Sequence, residues 1–217
     1  MQKAQKESPT MKKLLVIATV VLLPLALAAQ TKHVKLTNDG AFASVSTSNP
    51  TSNFELEVSR ALSTGTNTST NLFFISSSFN ADLTVLTIIE IVGPIPNSAF
   101  TGDNTKNLAL NLDPSTLDPT VTTVESCTLD FSQPVPSFVC GALPAGTIQL
   151  NFQENDFQLD HLVRTETSTV GPVSVTSHQR SDSGSANVTG TIFGTSVSSP
   201  GGNVGVNHLS SIEFTRQ

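Results

Sequence analysis

The chain has 217 residues and a formal net charge of −6, from 11 basic and 17 acidic side chains. The basic residues are few and scattered, which argues against nucleic acid or an anionic membrane surface as a partner, because both bind clustered Lys and Arg. Apolar residues recur in ordered patterns up to the C-terminus, so intrinsic disorder is also disfavoured.

The N-terminus combines positive charge with an apolar run. Lys12 and Lys13 precede the apolar residues 14–29, which end in a small-x-small pattern typical of signal peptidase sites. The run is shorter than the roughly 20 residues of a membrane-spanning helix. We therefore expect residues 1–29 to be a cleaved secretory signal peptide, with residues 1–10 either an over-called start or an extended n-region.

Export of the chain follows from that signal. We expect a secreted protein, extracellular or periplasmic, with no stable membrane insertion after cleavage. Loss of the signal removes four lysines and one glutamate, which leaves a net charge of −9. No linker divides residues 30–217, and the length fits a single domain.

Most of this domain has the pattern of short strands separated by turns. Apolar residues alternate with polar ones, and Gly, Pro or Asx residues separate the segments. The run Leu83 to Val92 is rich in β-branched residues and predicts a central strand buried on both faces, ended by Gly93-Pro94. The other predicted strands in the first part of the domain cover 41–47, 54–58, 72–75, 106–112, 121–131 and 147–152.

The C-terminal third predicts a meander of four long strands. These strands cover 157–169, 173–180, 186–197 and 204–215. We place turns between them at Gly171-Pro172, at Asp182-Ser183-Gly184 and at 198–203, and a further turn before them at Gln153-Glu154-Asn155-Asp156. Around ten antiparallel strands with short turns predict an all-β fold, an antiparallel β-sandwich or a jelly-roll-like single domain.

The two cysteines, Cys127 and Cys140, predict a disulfide, because paired cysteines in an exported chain are usually oxidised. A hairpin centred between them places Cys127 opposite Cys140 and Leu129 opposite Phe138 on one face. Since these neighbours are apolar, we expect the disulfide on the core side of the hairpin. The twelve intervening residues do not form a redox-active Cys-x-x-Cys motif, so the bond is interpreted as structural.

One stretch of the chain concentrates polar residues that suit acid-base chemistry. A strand starting at Phe157 places Asp160, Arg164 and Glu166 on one face and His161 on the other. The simplest interpretation is a solvated surface, and the alternative is a catalytic acid-base group. The candidate polar cluster consists of Glu154, Asp156, Asp160, His161, Arg164 and Glu166.

No other catalytic, metal or cofactor motif is recognisable. The histidines, His33, His161, His178 and His208, lack metal-ligand spacing, and no serine lies in a nucleophile elbow. Oxygen-rich loops at 102–105 and 111–113 suit Ca²⁺, but ordinary turn chemistry accounts for them equally well. We therefore assign no catalytic, metal-binding or cofactor-binding residue and expect no cofactor.

Several segments together are similar to a loose group of uncharacterised secreted bacterial proteins. The similarity covers the apolar signal, residues 41–46, the cysteine hairpin, residues 161–164 and residues 185–190. It implies a secreted all-β domain and assigns no functional residue.

Three functions stay open at this point. The first is a non-catalytic secreted or cell-surface module for binding, adhesion or envelope structure, favoured because no catalytic motif is found. The second is a secreted hydrolase that uses acid-base groups of residues 154–166. The third is a subunit of an extracellular polymer, in which residues 31–47 pair with a sheet edge of the next copy.

Overall fold

A computed structural model describes residues 37–63, 68–170 and 173–216. Within these ranges, the side chains of 156–159, 170, 173–175 and 210–216 lie outside the description. The predicted signal peptide, His33 and the predicted turn at Gly171-Pro172 also lie outside the described residues.

Eleven strands account for most of the described chain. They are β1 (Asn38–Ser48), β2 (Ser52–Ser63), β3 (Ser69–Phe79), β4 (Val85–Ile95), β5 (Phe100–Thr101), β6 (Leu108–Leu112), β7 (Thr123–Asp130), β8 (Ser137–Gly141), β9 (Ile148–Val170), β10 (Val173–Ile192) and β11 (Thr195–Arg216). A single 3-10 turn, Pro114–Thr116, follows β6.

All eleven strands belong to one sheet, in the order β5-β6-β9-β10-β11-β1-β2-β3-β4-β7-β8, and neighbouring strands run antiparallel. The predicted all-β antiparallel fold is thus confirmed, as one continuous sheet that curls around a single core. Among the residues that the structure describes, none forms a helix long and apolar enough to cross a membrane.

The core lies on the inner face of the curled sheet. Alternate residues of each strand point to this face, so Val45, Leu56 and Phe74 come from three consecutive strands. The register places them side by side, which turns three separate alternating patterns into one apolar surface. The largest fully buried side chains are Phe74, Phe100, Phe152, Leu56, Leu72, Ile91, Leu108, Leu110, Leu112, Ile148, Leu150 and Val45.

Phe74 joins distant parts of the sheet across this core. Its ring centroid lies 6.4 Å from that of Phe54 on β2 and 6.3 Å from that of Phe193, in the turn between β10 and β11. Arg60 of β2 closes the curl at another point, because it donates hydrogen bonds to the carbonyl oxygens of Phe100, at 2.7 Å, and of Gly102. The sheet therefore curls until β2 reaches the region around β5.

The C-terminal meander has three long strands instead of the four predicted. Asp182-Ser183-Gly184 lies inside β10, and residues 198–203 lie inside β11. The turn between these strands is Phe193-Gly194, with φ of 48° and 80°. Two consecutive positive φ angles characterise the type I′ turn of tight hairpins. The turn-forming residues at 182–184 and 198–203 stay extended because neighbouring strands pair with the backbone there.

Two further expectations are corrected. Gln153-Glu154-Asn155-Asp156 does not turn the chain: it lies inside β9, next to a register irregularity opposite Gly184 and Ala186. The run at 83–92 enters β4 only at Val85 and is paired on both sides from Leu86 onward, whereas Leu83 is 55 % exposed; only Ile89 and Ile91 of the run are buried, both on the inner face, and β4 continues past Gly93-Pro94 to Ile95.

The cysteine hairpin has the predicted register, but its disulfide faces the side of the sheet opposite to the one predicted. Cys127 pairs with Cys140 in the ladder between β7 and β8, and a disulfide joins them. However, Cys127 also pairs with Ile88, whereas the core residues Ile89 and Ile91 point to the other side of β4. The disulfide thus lies on the outer face of the sheet, apart from the core cluster and contrary to the expectation that it faces the core, although Cys127 itself is buried at 8 % exposure.

Candidate functional site

Three strands extend beyond the core as an arm. We define the arm as residues 160–170 of β9, 173–184 of β10 and 205–216 of β11, which pair with one another. All described side chains from 160 to 169 are exposed. The alternation of β10 continues from the core into the arm, and the register pairs β9 and β11 with it on both sides, so the inner face of the arm is continuous with the core face of the sheet.

Charged side chains replace apolar ones where the arm leaves the core. Along β10, Val188 and Ala186 are buried, whereas Asp182 and Arg180 follow on the same face. Nδ1 of His161 on β9 is hydrogen-bonded to Oδ1 of Asp182, and Arg180 donates to Oδ2 of Asp182 at 3.1 Å. Asp182 therefore bridges a histidine and an arginine.

A second histidine-aspartate pair lies beside the first. Nδ1 of His208 on β11 is hydrogen-bonded to Oδ1 of Asp39 on β1. In the register, Arg180 is opposite His208, and His208 is opposite Asp39. The result is one charged cluster across four strands, which consists of His161, Asp182, Arg180, His208 and Asp39.

Four members of this charged cluster, Asp39, Arg180, Asp182 and His208, line a cleft of about 400 Å³ at the base of the arm, and His161 supports its wall through Asp182. Leu62 and Val206 add apolar surface to the cleft, and the loop residues Asp103 and Asn104 form part of its wall. Carboxylates accept hydrogen bonds, guanidinium groups donate them, and the amide does both. The cleft thus offers donors and acceptors close to apolar contact surface.

Arg60 also lines the cleft and is partly buried. Its guanidinium group donates to two carbonyl oxygens and lies 5.7 Å from the ring centroid of Phe100. Its Nε is buried without a hydrogen-bond partner. The hydrogen bonds and the ring contact fix this positive charge in the wall of the cleft.

The predicted polar cluster does not assemble into one site. Asp160, Arg164 and Glu166 are exposed, and Arg164 pairs with Glu166. The register places His161 opposite Asp182 on the inner face, so these three residues lie on the outer face. The side chain of Asp156 lies outside the description. The predicted division of the strand into two faces therefore agrees with the register, and it separates the histidine from these charged residues.

Glu154, the remaining member, has a structural environment. Its side chain is 2 % exposed, accepts a hydrogen bond from Thr105 and pairs with Lys106, whose Nζ lies 3.1 Å from Oε1. The backbone N–H of Glu154 donates to the carbonyl oxygen of Thr105 at 3.1 Å. Glu154 thus fastens the loop before β6 to β9, which accounts for a buried carboxylate without a catalytic role.

The partners of His161 and His208 were missed by the sequence reasoning. Asp182 was interpreted as part of a turn, although Arg180 and Asp182 are two residues apart and so share one face of a strand. Asp39 and His208 are 169 positions apart. The alternation of charged with small residues at 180–184 could have indicated a strand with Arg180 and Asp182 on one face. No local pattern indicates that β1 pairs with β11 and so brings Asp39 to His208.

The two histidine-aspartate pairs resemble part of a nucleophilic triad, in which an aspartate orients Nδ1 of a histidine. A triad also needs a nucleophile within hydrogen-bond reach of the other ring nitrogen. Among the described residues, no serine, threonine or cysteine is hydrogen-bonded to Nε2 of His161 or His208. No group of three metal-ligating side chains occurs in the described part of the chain either.

The oxygen-rich loops use their side chains in turns. Oδ1 of Asn107 accepts from the backbone N–H groups of Asp103 and Asn104, at 3.0 and 3.1 Å. Oδ1 of Asp113 accepts from the N–H of Ser115 at 3.0 Å and caps the 3-10 turn. In both loops, side-chain oxygens thus accept the backbone hydrogen bonds of ordinary turns.

The His161–Asp182 contact predicts a pH dependence of stability. The hydrogen bond from His161, with the charges of Arg180 and His161, lowers the pKa of Asp182 below its ordinary value of 3.8. A carboxyl group whose pKa is lower in the folded chain stabilises the fold above its unfolded pKa and loses that contribution as the pH falls through the folded value. We expect Asp182→Asn to lower the urea midpoint at pH 6 and to have a smaller effect at pH 3. An equal effect at both pH values would contradict this assignment.

Comparison of the chain with protein-family models, with curated proteins and with solved structures finds no match.

Proposed function

We propose that this protein is an exported, non-catalytic binding module that holds a polar ligand in the cleft at the base of the arm. The observation that carries the proposal is the charged cluster on the concave face of the sheet, where apolar core residues would otherwise continue. Because its members pair with one another, they are fixed in place before any ligand arrives, and pre-organised groups lose little conformational entropy on binding.

The composition of the cleft indicates the chemistry of its ligand. Arg60 and Arg180 face Asp39, Asp103 and Asp182 around one space, so both signs of charge meet there. A ligand with many hydrogen-bond donors and acceptors fits such a surface better than a simple anion or cation. Leu62 and Val206 supply contacts for its apolar parts.

Two observations support export. The N-terminal sequence has the charge, length and small residues of a signal peptide. The only two cysteines form a disulfide, which persists in an oxidising compartment outside the cytoplasm. We place the module outside the cytoplasm on these grounds.

The two alternative functions are less well supported. A hydrolase using residues 154–166 would need these groups to meet in one site. Instead, Glu154 is buried, His161 lies on the inner face of the sheet, and Asp160, Arg164 and Glu166 lie on its outer face. A polymer built by residues 31–47 would need a free N-terminal strand, whereas β1 is paired with β2 and β11 of its own chain. Residues 31–36 lie outside the described part.

Binding of the exported protein to cell-envelope material tests the proposal. We expect Arg180→Ala to weaken retention on isolated envelopes of the producing cells at least about tenfold, because removing one partner of a charge network costs roughly 1.5–3 kcal/mol. Arg164→Ala is the matched control, since Arg164 and Arg180 are about equally exposed, at 60 and 62 % of the side chain, and lie on opposite faces of the arm. Retention is measured by co-sedimentation over a range of protein concentrations.

The same preparation discriminates the alternatives. Equal retention of both variants and the parent chain would remove the cleft from consideration. Turnover of a polysaccharide, peptide or ester by the parent chain, lost in folded Asp160→Ala or His161→Ala, would replace the binding module with an enzyme.

A further inference from the structure

Strand β8 ends the sheet and contributes nothing to the core. It pairs with β7, and its other edge has no partner among the described strands. All five of its residues are exposed. A strand of this kind presents unpaired backbone N–H and C=O groups to any approaching chain.

The two ends of the sheet differ in how they are protected. At the opposite end, β5 has only two residues, and the free edge of β9 carries Asp160, Arg164 and Glu166. Short strands and charged side chains are the usual protection of sheet edges against pairing. In contrast, no charged residue or histidine occurs from 131 to 153, a stretch that includes β8.

Strand β8 also exposes apolar side chains on both faces. Phe138, 63 % exposed, ends an outer-face row in which Phe79, Leu86, Leu129 and Phe138 are neighbours on four adjacent strands. Val139, 61 % exposed, points to the inner face. A strand added to this edge would therefore cover apolar surface on both sides of the sheet.

The disulfide holds this edge strand in place. Cys140 is the fourth of the five residues of β8, and its bond to Cys127 fixes β8 to β7, whereas no core contact does so. Without that bond, a peripheral five-residue strand would fray readily. The covalent bond thus preserves an extended, exposed edge.

We propose that the β8 edge is a self-association surface, on which β8 of a second copy pairs antiparallel about a two-fold axis near Val139. The charge distribution favours a second copy as the occupant. Two chains that each carry a net charge of −9 after loss of the predicted signal peptide repel one another over most of their surface, whereas the uncharged edge brings no like charges together. A two-fold axis makes one short strand complementary to itself and extends both sheets into one.

Sedimentation velocity of the oxidised, exported chain over a concentration series tests this interface. We expect a reversible monomer-dimer equilibrium with a dissociation constant on the order of 10–100 μM, since five residues form a small interface. Val139→Lys should weaken dimerisation at least about tenfold, because the two-fold axis places the two new ammonium groups opposite each other. Leu162→Lys is the matched control: Leu162 is an exposed apolar residue on the arm strand β9, and its substitution should leave the equilibrium unchanged.

Phe138→Lys provides a second variant on the outer face of the same strand and should also weaken dimerisation. A parent chain that remains monomeric up to about 1 mM, well above that range, would overturn the proposal. So would a dimer that survives both β8 substitutions, or one that Leu162→Lys disrupts. If the edge pairs only with an extended segment of another protein, the parent chain will remain monomeric.

Discussion

Phe74→Ala is expected to lower the free energy of unfolding by about 3–5 kcal/mol, the usual cost of removing a buried phenylalanine ring. Phe74 is 0 % exposed and contacts both Phe54 and Phe193. Its ring therefore connects β2 and β3 with the turn between β10 and β11. Removing it leaves a cavity at the place where distant parts of the curled sheet meet, and this region cannot collapse without moving several strands.

The neighbouring residue supplies the control for this experiment. Phe73 has the same side chain and lies on the same strand, but it points to the outer face and is 40 % exposed. We expect Phe73→Ala to cost about 1 kcal/mol or less. Urea denaturation followed by circular dichroism measures both values. Equal losses for the two variants would show that the inner face is not the principal core.

Cys127→Ser is expected to lower the free energy of unfolding by about 3 kcal/mol, the amount typical of a disulfide that closes a loop of this size. The two cysteines are 13 positions apart. The open chain gains conformational freedom in the unfolded state, and β8 has no core contacts to compensate for the lost bond. The inner-face core should stay intact, because the disulfide lies on the outer face.

Chemical reduction provides an independent check. Reducing the parent chain should destabilise it about as much as Cys127→Ser does, and the reductant should not affect the variant. Mass spectrometry of the purified protein before and after reduction tests for the bond. Two alkylatable thiols in the non-reduced protein, or a variant as stable as the parent, would refute the structural role of the disulfide.

Local pattern was sufficient to predict several of the strands and the cysteine pairing. A strand repeats every two residues, so alternation at 41–47, 54–58 and 121–131 predicted β1, β2 and β7 whatever their neighbours. The register of Cys127 with Cys140 followed in the same way, since a hairpin pairs residues at equal distances from its centre. The same two-residue period placed His161 on one face of its strand and Asp160, Arg164 and Glu166 on the other.

Local pattern also misplaced some turns, for an identifiable reason. Asp182-Ser183-Gly184 and residues 198–203 have turn-forming side chains, yet partner strands pair with them and keep them extended. Phe193-Gly194 has one such residue, yet the chain reverses there with positive φ at both positions. Pairing partners that lie far away in the sequence determine where a strand ends, and a local window does not contain them.

The all-β class, the alternation of each strand and the pairing of the two cysteines can be predicted from the amino-acid sequence, because each depends on residues close together in the chain. The side of the sheet on which the disulfide lies depends on the folded structure, since alternation divides two faces without saying which one is covered. The folded structure also decides the charged cluster, in which Asp39 and His208 meet through the pairing of β1 with β11. Contacts of that kind arise from the order of strands in the sheet, and neighbouring residues carry no information about that order.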